Sequence, residues 1–342
     1  MDAQQANEKL LGFTMYYMVS QAFFTAAELG VADALAQGPL TVDALALRTG
    51  VRSDRLYRML RLLAAHGLFE EQAERRFALN DLAAYLRSDV SFSYRDYAIM
   101  IAKYYSSSAQ FGAGMASDQS LFALYYGQPL FDYIGAHPEL GPEFDRGMES
   151  LHGIETGAFL RAVDLAGVRT FADIGGGNGD VLGQVLRAHP GIEGILFDVP
   201  AVVARTRGAL SDNGFGARCR SVSGSFFEAI PVVADVYFLR HILHDWNDAQ
   251  CTAILRNLAA VAAPTSRIII GECLIGPPNT PGLGTTMDMV MLHFTSGYER
   301  TVEEYRALFA TADLELVSVT PTASMISLIE ARPRSRSLCA AA

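Results

Sequence analysis

Phe171-Ala-Asp-Ile-Gly-Gly-Gly-Asn-Gly-Asp180 reads as an apolar strand running into a glycine-rich turn and then a helix. Glycines let a backbone approach a ligand closely. A glycine triplet alone is a weak signal, and its flanks strengthen it. Asp173 sits at the end of the strand. Phe197-Asp-Val-Pro200 closes the next strand, where the Asp198 carboxylate can accept both hydroxyls of a ribose. The dinucleotide fingerprint G-x-G-x-x-G does not fit, because counting from Gly175 its last glycine falls on Asp180. An acid there would repel a pyrophosphate at a helix N-terminus. A ligand with no phosphate and a cationic sulfonium, S-adenosylmethionine (SAM), suits an acidic, glycine-lined turn better.

Outward from this turn the chain alternates. Strands are expected at Phe171–Ile174, Gly194–Phe197, Arg218–Val222, Val236–Leu239 and Arg267–Glu272, with helices such as Val181–Ala188, Ala201–Leu210 and Asp248–Val261 between them. That order implies an α/β domain with a parallel sheet covered on both faces, over residues 165–342. Thr301 and Glu304 form a capping-box pair opening another helix. Two last strands follow, at Leu314–Thr320 and Ser324–Glu330, and the arginine-containing tail beyond them reads as frayed.

Upstream, residues 91–164 are helical and rich in tyrosine and phenylalanine, which suits a pocket for a flat aromatic ligand as well as ordinary core. Residues 1–90 carry a winged-helix pattern. Thr41 caps a helix that stops near Gly50. Ser53 caps a second, with Leu56, Met59, Leu60 and Leu63 on one face and Gly67 at its end. Leu68-Phe69 and Phe77–Leu79 then flank a charged turn as a two-stranded wing. Before these, Leu10–Ala27 is free of charge, close to the length of a membrane span, but Gly12, Thr14, Ser20, Gln21 and Thr25 interrupt it. A buried helix or subunit interface is the expectation, with no membrane partner. Met1 to Lys9 mixes both charges, unlike a signal-peptide start, so no targeting signal is expected.

The 342 residues are 50% hydrophobic and 19% charged, the profile of a folded chain with room for two cores. A net charge of -10 argues against binding a polyanion. Cys219, Cys251, Cys273 and Cys339 show no metal-ligand spacing, so no metal is expected, and they read as reduced thiols of a cytoplasmic protein.

The second informative run is Leu239-Arg-His-Ile-Leu-His-Asp-Trp-Asn-Asp248, at the carboxyl edge of the fourth strand, where α/β sheets bind ligands. It holds His241, His244 and Asp245 and the only tryptophan of the chain, Trp246. Glu272 ends the fifth strand and Glu299 lies in Tyr298-Glu-Arg-Thr301. A carboxylate on one imidazole nitrogen fixes the tautomer and leaves the other nitrogen to accept a proton.

Taken together, Asp173–Gly179 (DIGGGNG), Phe197–Pro200 (FDVP), Leu243–Asp248 (LHDWND), Gly271–Cys273 (GEC) and Tyr298–Thr301 (YERT) resemble the plant caffeate- and flavonoid-type O-methyltransferases. Their bacterial relatives serve phenazine, anthracycline and other aromatic antibiotic and natural-product pathways. The resemblance covers nearly the whole chain. It implies a Rossmann-like class I SAM methyltransferase domain behind a winged-helix dimerisation region, and hence a homodimer. It makes His244 the general base, held by Glu272 and Glu299, with Asp245 in the same motif. Asp173, Gly175, Gly177, Asp198, Val199, Ser225 and Phe226 fall in the cofactor segments. Arg240 matches a position that meets the methionyl carboxylate, and Trp246 one that packs near the adenine. Phe144, Met148, Val290 and Phe294 fall where the family lines its acceptor pocket, with His241, Met287 and Met291 close by. One departure stands out. The family has an Asp after the glycine of a G-D-M-F-like run, and here the run is Gly224-Ser-Phe-Phe227. Ser225 offers a weaker contact than a charged group.

The implied reaction is in-line methyl transfer to an aromatic hydroxyl whose proton, with a pKa of ~10, His244 removes. Two other readings stay open. One keeps the fold but methylates nitrogen, or supports hydroxylation or decarboxylation without methylating. The other is a DNA-binding regulator using Arg48, Arg52, Arg55, Arg58 and Arg61 on the winged helix, which Asp54, Glu70, Glu71 and Glu74 oppose.

Overall fold

A computed structural model describes residues 1–334, arranged as two compact units. One comprises Met1–Ser106 with Ile134–Gly153, and the other Ser107–Tyr133 with the chain from Ile154 onward. The helix Gly141–Ala162 begins in the first and ends in the second.

In the first unit Asp2 and Gln5 form a capping box that opens the helix Ala3–Glu28. Its C-terminal half buries Ala22, Ala26 and Ala27, whereas Leu10, Phe13, Tyr16 and Tyr17 stand exposed. No helix of the described residues is long and apolar enough to cross a membrane. Thr41 caps the helix Val42–Thr49 through a 3.3 Å bond from Ala44 N–H. The next helix, Ser53–Ala65, is capped differently from expectation. Arg52 is its cap residue, and the Ser53 hydroxyl donates to Asp43 instead. Leu56, Leu60 and Leu63 face a core with Leu45, Phe77 and Leu86. The wing also differs in register. Its strands are the charged β2 (Glu70–Gln72) and β3 (Arg76–Ala78), and β1 (Leu40–Thr41) joins β3. Leu68 and Phe69 are buried in the elbow before β2, since burial is worth more to them than a place on an exposed ribbon. Several arginines here are spent locally. Arg48 donates to Ala34 O, Arg52 pairs with Asp54, and Arg61 and Arg75 lie 5.2 and 4.4 Å from the Tyr57 ring centroid.

The second unit holds a seven-stranded sheet in the order β6-β5-β4-β7-β8-β10-β9. The strands are β4 (Thr170–Ile174), β5 (Glu193–Asp198), β6 (Cys219–Ser223), β7 (Val236–Arg240), β8 (Arg267–Glu272), β9 (Leu314–Pro321) and β10 (Ser327–Pro333). The first five pair in parallel, while β10 runs antiparallel to both neighbours. β10 continues three residues beyond the expected Glu330. Arg332 pairs with Glu330, and Arg334 donates to Leu314 O, so this stretch is held rather than frayed; Arg336 lies outside the described residues.

Alternate strand residues enter two cores. Ala172, Tyr237 and Leu239 join Ile254 and Phe309 on one side of the sheet, and Phe171, Phe238 and Ile269 join Val185 and Phe159 on the other. Burial on both faces explains why these strands read as continuous apolar runs. The chain leaves β4 outward through β5 and β6, then returns to place β7 on β4's other side. The crevice at this reversal, above the carboxyl ends of β4 and β7, is where such sheets bind ligands.

Candidate active site

The glycine turn leaves β4 and folds tightly over its end. Gly175 has φ +72°, and its N–H donates to Phe197 O at 2.7 Å. A Cβ on Gly175 would stand 2.4 Å from Ile242, and one on Gly176 2.8 Å from the Asp173 carboxylate. A side chain at either place would force these neighbours to shift. The Asp198 carboxylate accepts from Gly177 N–H at 2.9 Å and from Val199 N–H at 2.7 Å, so it is fixed at the mouth of the turn with lone pairs to spare. Asp173 is 2% exposed, and burial raises its carboxyl to about 7 against the opposing pull of Arg240. Its Oδ2 has no hydrogen-bond partner among the described residues. Arg240 donates to Thr156 Oγ1 at 3.0 Å and lies 3.8 Å from Glu155. The Ser225 hydroxyl accepts from Phe227 N–H, and Phe226 and Phe227 meet Trp246 edge to face at 6.1 and 4.8 Å.

These residues fit SAM. An orphaned buried carboxylate and an acidic turn suit a cationic ligand, Asp198 suits a ribose diol, Arg240 suits a carboxylate, and the aromatic group suits an adenine.

The turn that carries both histidines follows β7. His241 takes a left-handed φ of +55°, which swings the chain off the strand, and its N–H donates to Gly271 O. A short 3₁₀ turn, Leu243–Asp245, comes next. The Asn247–Gln250 capping box then starts the helix Asp248–Val261, leaving the turn pinned at both ends. His244 is 5% exposed. Its Nδ1 lies 2.8 Å from Glu299 Oε1, and its Nε2 stands 3.9 Å from Asp245 Oδ1, outside hydrogen-bond range. An ionised Glu299 can only accept, so Nδ1 carries the proton and Nε2 presents the lone pair of the neutral ring.

Glu272 does something other than expected. It does not hold the ring. Its Oε1 accepts the backbone N–H groups of Leu243 at 2.6 Å and His244 at 3.1 Å, and its Oε2 accepts the Tyr305 hydroxyl. The end of β8 lies beside the turn's backbone, so Glu272 meets the amides before it can reach the imidazole.

Burial pulls the His244 ring toward its neutral form, but the Glu299 bond and the charges of Asp245 and Glu272 outweigh it, and the ring is pushed up to about 9. Burial raises the Asp245 carboxyl to about 6. Burial also raises Glu299, opposed by its bond to His244.

The expected acceptor residues divide between the units. His241 is buried, with Nε2 2.9 Å from Glu155 Oε2 and its ring 5.0 Å from that of His244. Met287 and Met291, on the helix Leu283–Phe294, are buried with Cys273, and Val290 packs against them. Phe294 lies 6.2 Å from Phe122. Phe144 and Met148 are half-buried on the part of the helix Gly141–Ala162 that belongs to the first unit.

Arg300, Tyr305, Glu155 and Thr156 were missed by the sequence reading. All four are at most 1% exposed, and each bonds a residue of the site. Arg300 lies inside the YERT run and could have been suspected there. The other three sit on helices, where nothing local separates them from solvated positions.

Two family descriptions match the chain: an O-methyltransferase domain over residues 108–315 and an O-methyltransferase dimerisation domain over residues 11–89. The phenazine O-methyltransferase of Lysobacter antibioticus is 35% identical over 95% of both chains. A methyltransferase of calicheamicin biosynthesis, solved with S-adenosylhomocysteine (SAH) bound, superposes with a TM-score of 0.88 at 35% identity, covering 97% of this chain and 99% of that one. An O-methyltransferase of neocarzinostatin biosynthesis, solved with SAM and 2-hydroxy-5-methyl naphthoic acid, gives 0.79 at 29% identity, covering 92% and 96%. With the glycine turn, the paired histidine and the dimerisation region all in place, this chain belongs to the O-methyltransferase family and is a SAM-dependent enzyme.

Proposed function

We propose that the protein methylates a hydroxyl of a small aromatic natural product, with His244 as general base. The observation that carries this is the buried His244–Glu299 bond at 2.8 Å, which leaves Nε2 as the one ring nitrogen able to take a proton. SAM, when bound, supplies an electrophilic methyl carbon. The chain's residues do the rest. Glu299 sets the tautomer of His244 and stabilises the imidazolium that forms as the hydroxyl proton arrives at Nε2. Asp173 and Asp198 place negative charge beside a cationic donor, and Arg240 receives its carboxylate. Met287, Met291 and Val290 provide an adaptable apolar wall for a flat acceptor, to which His241 and Phe294 contribute. The aromatic class is supported by the naphthoic acid in the neocarzinostatin relative and by the phenazine enzyme.

We also propose a homodimer, with the exposed apolar residues of the helix Ala3–Glu28 as its contact, in keeping with the matched dimerisation domain. The free state of the three described cysteines is in keeping with a cytoplasmic setting. The local use of the winged-helix arginines favours a small-molecule acceptor over nucleic acid.

The test is transfer of labelled methyl from SAM to 3-amino-4-hydroxybenzoate, hydroxyphenazine and hydroxynaphthoate, with SAH binding measured in parallel. Product from at least one phenol, lost in His244→Gln while SAH still binds, supports the assignment. Full turnover in the variant removes His244 as base.

A further inference from the structure

We propose that Arg300 is a positioning residue for the base: together with Glu272 it grips the two polar edges of the Leu243–Trp246 turn and so fixes where the His244 ring stands. This rests on the reading of His244 as base.

A turn this short satisfies few of its own backbone groups, and buried N–H and C=O groups need partners. Glu272 takes the amides of Leu243 and His244, as described above. Arg300 takes the carbonyls. Its Nη1 donates to Leu243 O at 3.2 Å and its Nη2 to Trp246 O at 2.9 Å, one residue before His244 and two after it. Bonds to Tyr298 O and twice to Asp248 Oδ1 bring the total to five, as many as a guanidinium has N–H donors. The group also lies 4.2 Å from the Tyr298 ring centroid.

Arg300 and Glu272 are both fully buried, and their hydrogen bonds described above go to groups other than the imidazole. Burying two opposite charges is costly unless each is fully hydrogen-bonded. Here the bonds of both converge on the peptides around one histidine. Gly297 closes the contact, because a Cβ there would stand 2.0 Å from His244 O. The segment that carries Glu299 to the ring is therefore the same one that holds the turn's backbone through Gly297 and Arg300. If the turn slackens, the ring leaves Glu299. The charged and titratable groups facing that ring are Glu299, Asp245, Glu272 and His241.

The test reads the ring directly in ligand-free protein, by nitrogen-15 NMR titration of the histidines, with His244 assigned from its loss in His244→Gln. Arg300→Lys keeps the charge but loses the fork. Asp248→Asn loosens the outer anchor at a side chain that is 65% exposed, so it carries the test if the lysine variant does not fold. Each folded variant is expected to lower the His244 midpoint, by about one pH unit or more in Arg300→Lys. Amide exchange over residues 243–246 is expected to quicken about ten-fold or more, with β8 still protected. An unmoved midpoint in the folded variants would overturn the proposal. Failure of the base reading looks different: His244→Gln would keep full turnover while the midpoint shift persisted.

Discussion

His244 Nδ1 and Glu299 Oε1 stand 2.8 Å apart across 55 residues of sequence, in a pocket where neither residue is more than 5% exposed. The pairing raises the ring to about 9, so at neutral pH the ligand-free imidazole is charged and cannot accept a proton. The expected pH profile of kcat/KM therefore rises from neutral pH through a midpoint near pH 9 and levels off about one unit above it. Glu299→Gln is expected to move that midpoint down toward the ordinary ~6.5 of histidine and to lower the plateau rate. A wild-type profile already flat at pH 7 would contradict it.

The same bond has a stability consequence of definite sign. Because the folded-state value lies above the unfolded one, its contribution is fully present below about pH 6.5 and is lost as pH rises through about 9. Urea unfolding at pH 6 and pH 9.5 should show wild type losing more than His244→Gln over that interval.

Removing the proposed base altogether isolates the chemical step. His244→Ala is expected to lower kcat by roughly 10²–10⁴-fold, with SAH affinity close to wild type. Single-turnover kinetics and calorimetry separate the two quantities.

On the cofactor side, Asp198 is bonded to two backbone amides and positioned at the mouth of the glycine turn. Asp198→Ala should weaken SAH binding by about 1–3 kcal/mol, the cost of losing a charge-assisted bond and leaving amides unpaired. Calorimetric binding within two-fold of wild type would exclude Asp198 as a ribose contact.

Gly297→Ala probes the close approach behind His244. Its Cβ would meet backbone at His244 O and at Asp245 and Trp246, none of which can swing aside as a side chain could. The expected cost is about 1–3 kcal/mol of unfolding free energy, with slower transfer. The urea midpoint and kcat report both.

The exposed apolar half of the first helix is the proposed dimer contact. Phe13 is 74% exposed and Tyr17 49% in the single chain. A Phe13→Glu, Tyr17→Glu double variant is expected to sediment as a monomer where wild type sediments as a dimer.

The alternation of apolar strands and capped helices after residue 165 was legible because strands buried on both faces and capped helix starts leave local, periodic marks. The Thr301 cap and the span of β8 could be read residue by residue. So could the glycine turn, since a Cβ there would crowd Ile242 and Asp173. Elements fixed by competition were not legible. The Ser53 hydroxyl had a better partner in Asp43 than its own helix, and Leu68 and Phe69 were drawn into the core and off the wing strand. The sequence placed His244, Glu272 and Glu299 in one site, but only the tertiary structure separated their tasks. A carboxylate's role depends on which donor it meets first. For Glu272 that is a pair of amides and for Glu299 an imidazole, while Arg300, a donor itself, meets two carbonyls of the same turn. Such choices are made in the last few ångströms of packing between segments distant in sequence, where composition and spacing carry no record.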